Sequence, residues 1–475
     1  MTDRRTRGTL PYLPFDEYIP DGEPHLFDGR VYLYGSHDSP GGHVFCERDY
    51  VCWSASAEDL TDWRCEGVIY RKTDDPENRD GSMCLYAPDV ARGPDGRYYL
   101  YYVLDHRSVV AVAVCDTPAG HYRYLDHVHY PDGTLLGKAL GDEPQFDPGV
   151  LWEDDRLWLV TGFCGQGDRS RHGAMLTALA EDMVTVMRAP AFIAPGCEYA
   201  RGTGFERHPF FEGPSLRKID GRYHLIYSSL AMHELCDAVS DRIEGPYRYQ
   251  GVLISNADLG IGGYKPEEKP AVYGGNDHGS ILTIGEEHYI FYHRHTHGTW
   301  YSRQACAEPL EMLPDGSFRQ APVSSMGPRG LALSAEGDYP AHMACYLFCR
   351  DGRALTGAPG QLRLIPDPED PARGILSSIH DGDTFGYHSF RFMGGETQVS
   401  VEARGYGGGC FELSCTVGGE ALGRISIRYA NIWTRFSTQI QLPAGEHRLF
   451  LTYRAPTQGD PEHAVLQVRS VGFGI

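Results

Sequence analysis

The chain has 475 residues, with 43 Lys and Arg against 64 Asp and Glu, a formal charge of −21. That length exceeds the roughly 250–300 residues at which a single hydrophobic core stops growing, so two domains are expected. The acidic surplus runs along the whole chain and repels phosphate backbones and anionic bilayers, which argues against nucleic acid or a membrane as partner.

Apolar residues make up 41% of the chain, enough for real cores, and 30 Tyr with 57 Gly point to many strands joined by tight turns. The 13 cysteines are scattered without a Cys-x-x-Cys pair, which signals neither a zinc ribbon nor a disulfide framework. The basic N-terminal stretch Met1–Pro11 is followed by no apolar run of signal-peptide length, and no run of about 18 apolar residues occurs anywhere. A cytoplasmic protein is expected.

In chain order, a turn rich in Asp and Gly leads five times into an alternating aromatic and aliphatic strand: Phe27–Tyr34, Pro94–Tyr101, Asp154–Val160, Asp220–Tyr227 and Gly285–Tyr292. Anchored on Arg30, Arg97, Arg156, Arg222 and His288, the intervals are 67, 59, 66 and 66 residues. Asp-Gly hairpins at that period predict one antiparallel sheet per repeat, and five such sheets around an axis make a five-bladed β-propeller.

The segment before each hairpin carries the chemistry. Matched positions hold Asp21 in Pro20-Asp21-Gly22-Glu23-Pro24, Tyr86 in Tyr86-Ala87-Pro88-Asp89-Val90, and Asp147 in Phe146-Asp147-Pro148-Gly149-Val150. Glu212 in Glu212-Gly213-Pro214 and His278 in Asp277-His278-Gly279-Ser280 complete the set. If these segments are the innermost strands, quasi-symmetry turns all five side chains toward the axis. Carboxylates are costly to gather without a task, and three converging on one pocket suit glycosidic bond cleavage. One donates a proton to the leaving oxygen, another activates water, and the third tunes the donor. The plainer alternative is that each carboxylate alone caps a turn; the coincidence of three at matched positions favours catalysis.

On these motifs, from Tyr12 to Val323, the chain resembles glycoside hydrolase family 43, the five-bladed propeller enzymes that include arabinofuranosidases, β-xylosidases and arabinanases. The resemblance implies Asp21 as general base, Glu212 as general acid and Asp147 as the residue that modulates the acid's pKa and orients it. It implies inversion at the anomeric carbon, with the base and acid carboxyls about 6.5–9.5 Å apart. Tyr86 stands where the family's tryptophan is more familiar and would offer a ring face to a sugar. His278 resembles the axial histidine that in many members lies beside a calcium ion or water cluster. No cofactor is required; a structural Ca2+ at His278 is what the resemblance allows.

In Tyr292-His293-Arg294-His295-Thr296-His297, strand alternation puts the three histidines on one face and Arg294 on the other. The resemblance implies Arg294 as the candidate for a sugar hydroxyl contact, because an arginine in such a Tyr-His-Arg context commonly reaches the family's sugar pocket. The histidines read as satisfied strand residues before they read as a metal site, since no carboxylate is spaced to complete a shell. His37 and Phe163 are further pocket candidates from their positions at strand ends.

Beyond Ser325 the repeat stops, and Met326–Gly330 marks a boundary. The division is a propeller over 1–325 and a β-sandwich over 335–475, with alternating strands expected at 386–392, 397–403, 409–415, 436–442 and 447–453. This part resembles a family 6 carbohydrate-binding module, in which Tyr387 and Trp433 either stack on a sugar or belong to the core. The expected activity is an exo-glycosidase that trims oligosaccharides, α-L-arabinofuranosidase first and β-D-xylosidase or galactofuranosidase next. A catalytically silent sugar-binding propeller is the reading from another class. The partner is an oligosaccharide substrate, and the sequence is compatible with a homo-oligomer.

Overall fold

The computed structural model describes residues 7–261, 275–349, 360–456 and 466–474, so Met1–Thr6 of the basic N-terminal stretch lie outside it. Five antiparallel sheets follow one another along the chain. Blade 1 comprises Glu23–Phe27, Arg30–Tyr34, Tyr50–Ser56 and Asp59–Tyr70, and blade 2 Leu85–Arg92, Tyr98–Leu104, Val110–Cys115 and Arg123–His127. Blade 3 has Gly149–Glu153, Arg156–Thr161, Gly173–Leu179 and Val186–Pro195; blade 4 has Phe210–Ile219, Arg222–Ser229, Glu234–Ser240 and Arg248–Ser255. Blade 5 has three described strands, Ile281–Ile284, Glu287–His295 and Arg303–Leu310. The protein is all-β, and its first two thirds form a five-bladed propeller.

The hairpins form where the sequence permits left-handed backbone. Asp28 and Gly29 have φ of 49° and 80°, and Asp220 and Gly221 have 48° and 79°. Two positive φ values in succession give the turn whose twist matches that of the strands it joins. Asp tolerates this conformation because its short polar side chain bonds locally, which is why Asp154-Asp155 turns the same way without glycine, at 51° and 56°.

The strands are apolar on both faces because each sheet is covered on both sides. Tyr102 packs with Tyr34, Tyr50 and Val90 between blades 1 and 2, whereas its neighbour Tyr101 packs with Leu157 and Leu159 between blades 2 and 3. Likewise Leu225 joins Trp158 and Val160 of blade 3, while Ile226 joins Ile281 and Ile290 of blade 5. Phe291 then packs with Val31, Leu33 and Trp53, which returns the ring to blade 1. Five apolar interfaces join five sheets, each fully buried aliphatic or aromatic side chain contributing about 1.5–3 kcal/mol. Blades 1 and 5 meet at the axis through a parallel bridge between Gly22 and Gly279. Glycine is required there, since a Cβ on Gly279 would stand 1.9 Å from the carbonyl oxygen of Phe291.

From Leu333 onward two six-stranded sheets face each other around one core that includes Phe385, Phe390, Val399, Phe411, Leu451 and Val471. The five alternating segments expected from the sequence are strands here, in Thr384–Phe392, Gly395–Gly405, Gly409–Ser414, Ala430–Leu442 and Gly445–Arg454, the third ending one residue before the expected Cys415. The two aromatics offered as sugar platforms are otherwise engaged. Tyr387 is fully buried in the core, and the guanidinium groups of Arg404 and Arg469 lie over the Trp433 ring at 4.3 and 4.2 Å.

The sandwich is bonded to the propeller. Tyr346, Phe348 and Phe450 enter the apolar cluster between blades 4 and 5. Arg294 of blade 5, 2% exposed, donates to the carbonyls of His342 and Ala344 at 2.8 and 3.1 Å and to Gln304 Oε1 at 3.3 Å. Gln304 in turn donates to the carbonyl of Phe15, whose amide donates to the carbonyl of Ala372. Arg294→Ala strands these buried acceptors, and thermal or urea unfolding is expected to show a loss on the order of 3 kcal/mol. Lys, without the planar fork, should restore little of it.

Candidate active site

Asp21, Tyr86, Asp147, Glu212 and His278, the five matched positions of the repeat, all line one cavity of about 270 Å³ at the propeller axis. Each stands at the entry to its blade's innermost strand, and the local backbone is built to turn it inward. Asp21 and Asp147 hold left-handed φ of 58° and 46°, a conformation that most L residues avoid and Asp tolerates. Beside Glu212 it is Gly213 that turns, at φ 64°, and a Cβ there would meet the His278 ring at 2.9 Å.

A buried guanidinium organises the carboxylates. Arg303 Nη1 donates to Asp21 Oδ1 at 3.0 Å, while its Nε and Nη2 grip both oxygens of Asp38 at 2.8 and 2.9 Å. The same group lies 4.7 Å from the Phe45 ring centroid. His278 Nδ1 faces Asp21 at 3.8 Å and Asp147 at 3.9 Å, and burial lowers its pKa, favouring the neutral imidazole. Asp147 Oδ2 accepts the amide of Gly213 at 3.1 Å, so it also fixes the main chain next to Glu212.

The two carboxyls without a guanidinium hydrogen bond, Glu212 and Asp147, hold their protons above the usual carboxylate range. Burial, and then the nearby charge of Asp21, pushes Glu212 up to about 7, with Arg303 and an Asn276 hydrogen bond opposing. Asp147 is raised well above the usual carboxylate range by burial, then by Glu212 and Asp21. Both shifts run in the same direction for one reason: the carboxyls share a small volume poor in water.

The walls are aromatic. Tyr86, Phe146, Phe163 and Phe211 form a continuous arc with successive ring centroids 5.6, 5.6 and 5.2 Å apart, and Phe45, Met232 and Trp300 complete the lining. Phe163 therefore lies where strand-end reasoning expected it. Arg294 does not: it points away from the cavity into the junction with the sandwich, and Arg303 supplies the pocket's guanidinium. His37 is displaced as well, since it sits behind the wall, where Nδ1 donates to the carbonyl of Asp49 and Nε2 faces Glu17 at 3.7 Å.

The strand histidines brace the site. The Asp21 amide donates to His293 Nδ1 at 3.4 Å, and His293 Nε2 and His295 Nε2 both donate to the carbonyl of Asn276, at 2.8 and 2.9 Å. Asn276, Phe146, Phe211, Phe45, Met232, Trp300 and Arg303 were missed from sequence. For Phe146 and Phe211 a signal existed, because Phe precedes both Asp147 and Glu212.

Comparison with known proteins agrees with this arrangement. A family model described as glycosyl hydrolases family 43 matches residues 25–318. A xylosidase/arabinosidase of Thermoclostridium stercorarium is 53% identical over 452 residues, spanning 94% of this chain and 95% of its own. Among solved structures, the GH43_1 enzyme of Xanthomonas citri complexed with xylose superposes with a TM-score of 0.53 at 25% identity, over 69% of this chain and 96% of its own. A family 43 arabinoxylan arabinofuranohydrolase of Bacillus subtilis, at 19% identity and a TM-score of 0.52, covers 99% of both chains and so shares the fold of propeller and sandwich together. The chain belongs to family 43 of the glycosyl hydrolases and is a glycoside hydrolase.

Proposed function

We infer that this enzyme is an inverting exo-glycosidase that releases single terminal pentosyl units from plant-derived oligosaccharides, α-L-arabinofuranosyl first and β-D-xylosyl by the same carboxylates. One observation carries the reading: three carboxyl groups share the floor of an aromatic-walled cavity of about 270 Å³. That volume lies below the roughly 300–1,000 Å³ of most small-molecule sites, room for one terminal sugar rather than a stretch of polymer. The name of the 53% identical relative, xylosidase/arabinosidase, supports the choice of pentoses.

The roles follow from the electrostatics. Asp21, which accepts a charged hydrogen bond from Arg303, takes a proton from the water that attacks the anomeric carbon. Glu212, raised to about 7, keeps its proton near neutral pH and passes it to the departing glycosidic oxygen. Asp147 accepts the Gly213 amide and so holds the Glu212 backbone in place. Tyr86 and the phenylalanine arc exclude water and offer ring faces to the sugar.

A buried carboxylate oxygen beside His278 is a group that a cation would find open. Glu23 Oε2 is held by Arg217 and Ser215, while its buried Oε1 has no hydrogen-bond partner and lies 4.0 Å from His278 Nε2. His278 and Glu23 are the residues that would face a Ca2+, which takes oxygen ligands and would draw most of its shell from water here, and when bound it would supply positive charge to the site. The proton transfers run through Asp21 and Glu212 alone.

Glu212→Ala should lose about 10²–10⁴ in kcat on alkyl-linked pentosides and far less on activated aryl pentosides, which leave without a proton. Asp21→Ala should lose both alike, and NMR of the first-formed product should show the inverted anomer. Turnover of alkyl pentosides by Glu212→Ala at the parent rate would refute the assignment, and sugar binding without turnover of any pentoside would instead favour the silent propeller.

A stability measurement reads the same carboxyl. Its folded pKa of about 7 lies above the ordinary glutamate value of 4.5, so the folded state retains a proton that the unfolded chain releases between those values. Stability is therefore lost as pH rises through that window. Glu212→Gln removes the loss, and its Tm should match the parent near pH 4 and gain through pH 7, to a limit on the order of 3 kcal/mol.

A further inference from the structure

We propose that Trp300 is the platform for the leaving-group sugar, a subsite just outside the pocket that receives the unit next to the scissile bond; this deepens the exo-glycosidase reading and rests on it. Of the side chains lining the cavity, Trp300 is the exposed one among the described residues, at 47% of its surface, while the others are buried or half-buried. An indole that lines the pocket while opening half its surface to solvent is an apolar ring face at the mouth, where the remainder of an oligosaccharide must emerge. Pyranose and furanose rings present C–H faces that stack on such rings.

The segment that carries Trp300 is fixed in place. It is the turn between the blade 5 strands Glu287–His295 and Arg303–Leu310, closed by the Thr296 amide donating to the carbonyl of Ser302 at 2.9 Å. His297 and Gly298 take left-handed φ of 60° and 68° to make the turn. Four neighbours then hold it. The Thr296 hydroxyl donates to the Tyr18 hydroxyl at 3.0 Å, and the Gly41 amide of blade 1's loop donates to Ser302 Oγ at 2.8 Å. From the sandwich, the carbonyl of Leu364 accepts the His297 amide at 3.0 Å. Tyr301 packs edge-on against Phe45, itself a wall of the pocket, with centroids 4.6 Å apart. A pre-ordered platform binds without the entropy cost of ordering a loop, which is what a subsite requires.

The test is calorimetry in the hydrolysis-deficient Glu212→Gln background, with xylose and arabinose as single-sugar probes and xylotriose and an arabinosyl-substituted xylotriose as extended ones. Adding Trp300→Ala is expected to weaken the extended ligand by about tenfold and the single sugar by less than about twofold. Trp300→Phe should restore most of the difference, since it keeps a ring face. Equal weakening of both ligand classes, or no weakening of the extended one, would overturn the subsite while leaving the pentosidase reading intact. If the parent background binds none of the four sugars, the pentosidase reading falls and the subsite falls with it.

Discussion

The buried contact of Arg303 with Asp21 and Asp38 is the interaction on which the rest of the site depends. A carboxylate taken from water without a partner costs several kcal/mol, and the pocket gathers three. The guanidinium joins Asp21 to a second carboxylate, Asp38, that has no access to solvent. Asp21 is thereby distinguished from Glu212 and Asp147, which receive no such donor. Nearly symmetric positions on the blades acquire different chemistry because one cation is placed off the axis.

The five hairpins were legible because their turn chemistry is local: Asp28-Gly29 and Asp220-Gly221 need nothing beyond themselves to adopt their conformation. Asp21, Asp147 and Glu212 were legible because the repeat brings equivalent positions to one axis. Arg303 was not, since its partners are 282 and 265 residues away and no matched position announces it. Hairpin register explains why Arg294 was preferred in error. His295 pairs with Arg303 and Arg294 with Gln304, and residues paired across strands share a face. Alternation separated the histidines from Arg294 correctly, yet the pocket lies on the histidine side, with Arg303, while Arg294 and Gln304 face the sandwich.

The sandwich was likewise readable as strands but not as a participant. Its aromatics Tyr387 and Trp433 drew attention as surface platforms, whereas its effect on the site comes through main-chain groups that no sequence motif advertises. The carbonyls of His342 and Ala344 anchor blade 5, and that of Leu364 supports the turn behind Trp300. A module of this kind shapes a catalytic domain by where its backbone ends up.

Every described blade is made from one continuous stretch of chain, so among the described residues no strand is exchanged between the first and the last. The ring thus has a seam, closed at the axis by the Gly22–Gly279 bridge and outside it by the apolar cluster of Val31, Trp53 and Phe291. Asp21 stands on one side of that seam; Arg303 and His278 stand on the other. The sandwich spans it like a clasp, holding Phe15 on one flank through Ala372 and Arg294 on the other. Parting the seam by an ångström or two would separate the base from its guanidinium before any blade lost a strand, which makes catalytic competence a finer gauge of ring closure than secondary structure can be.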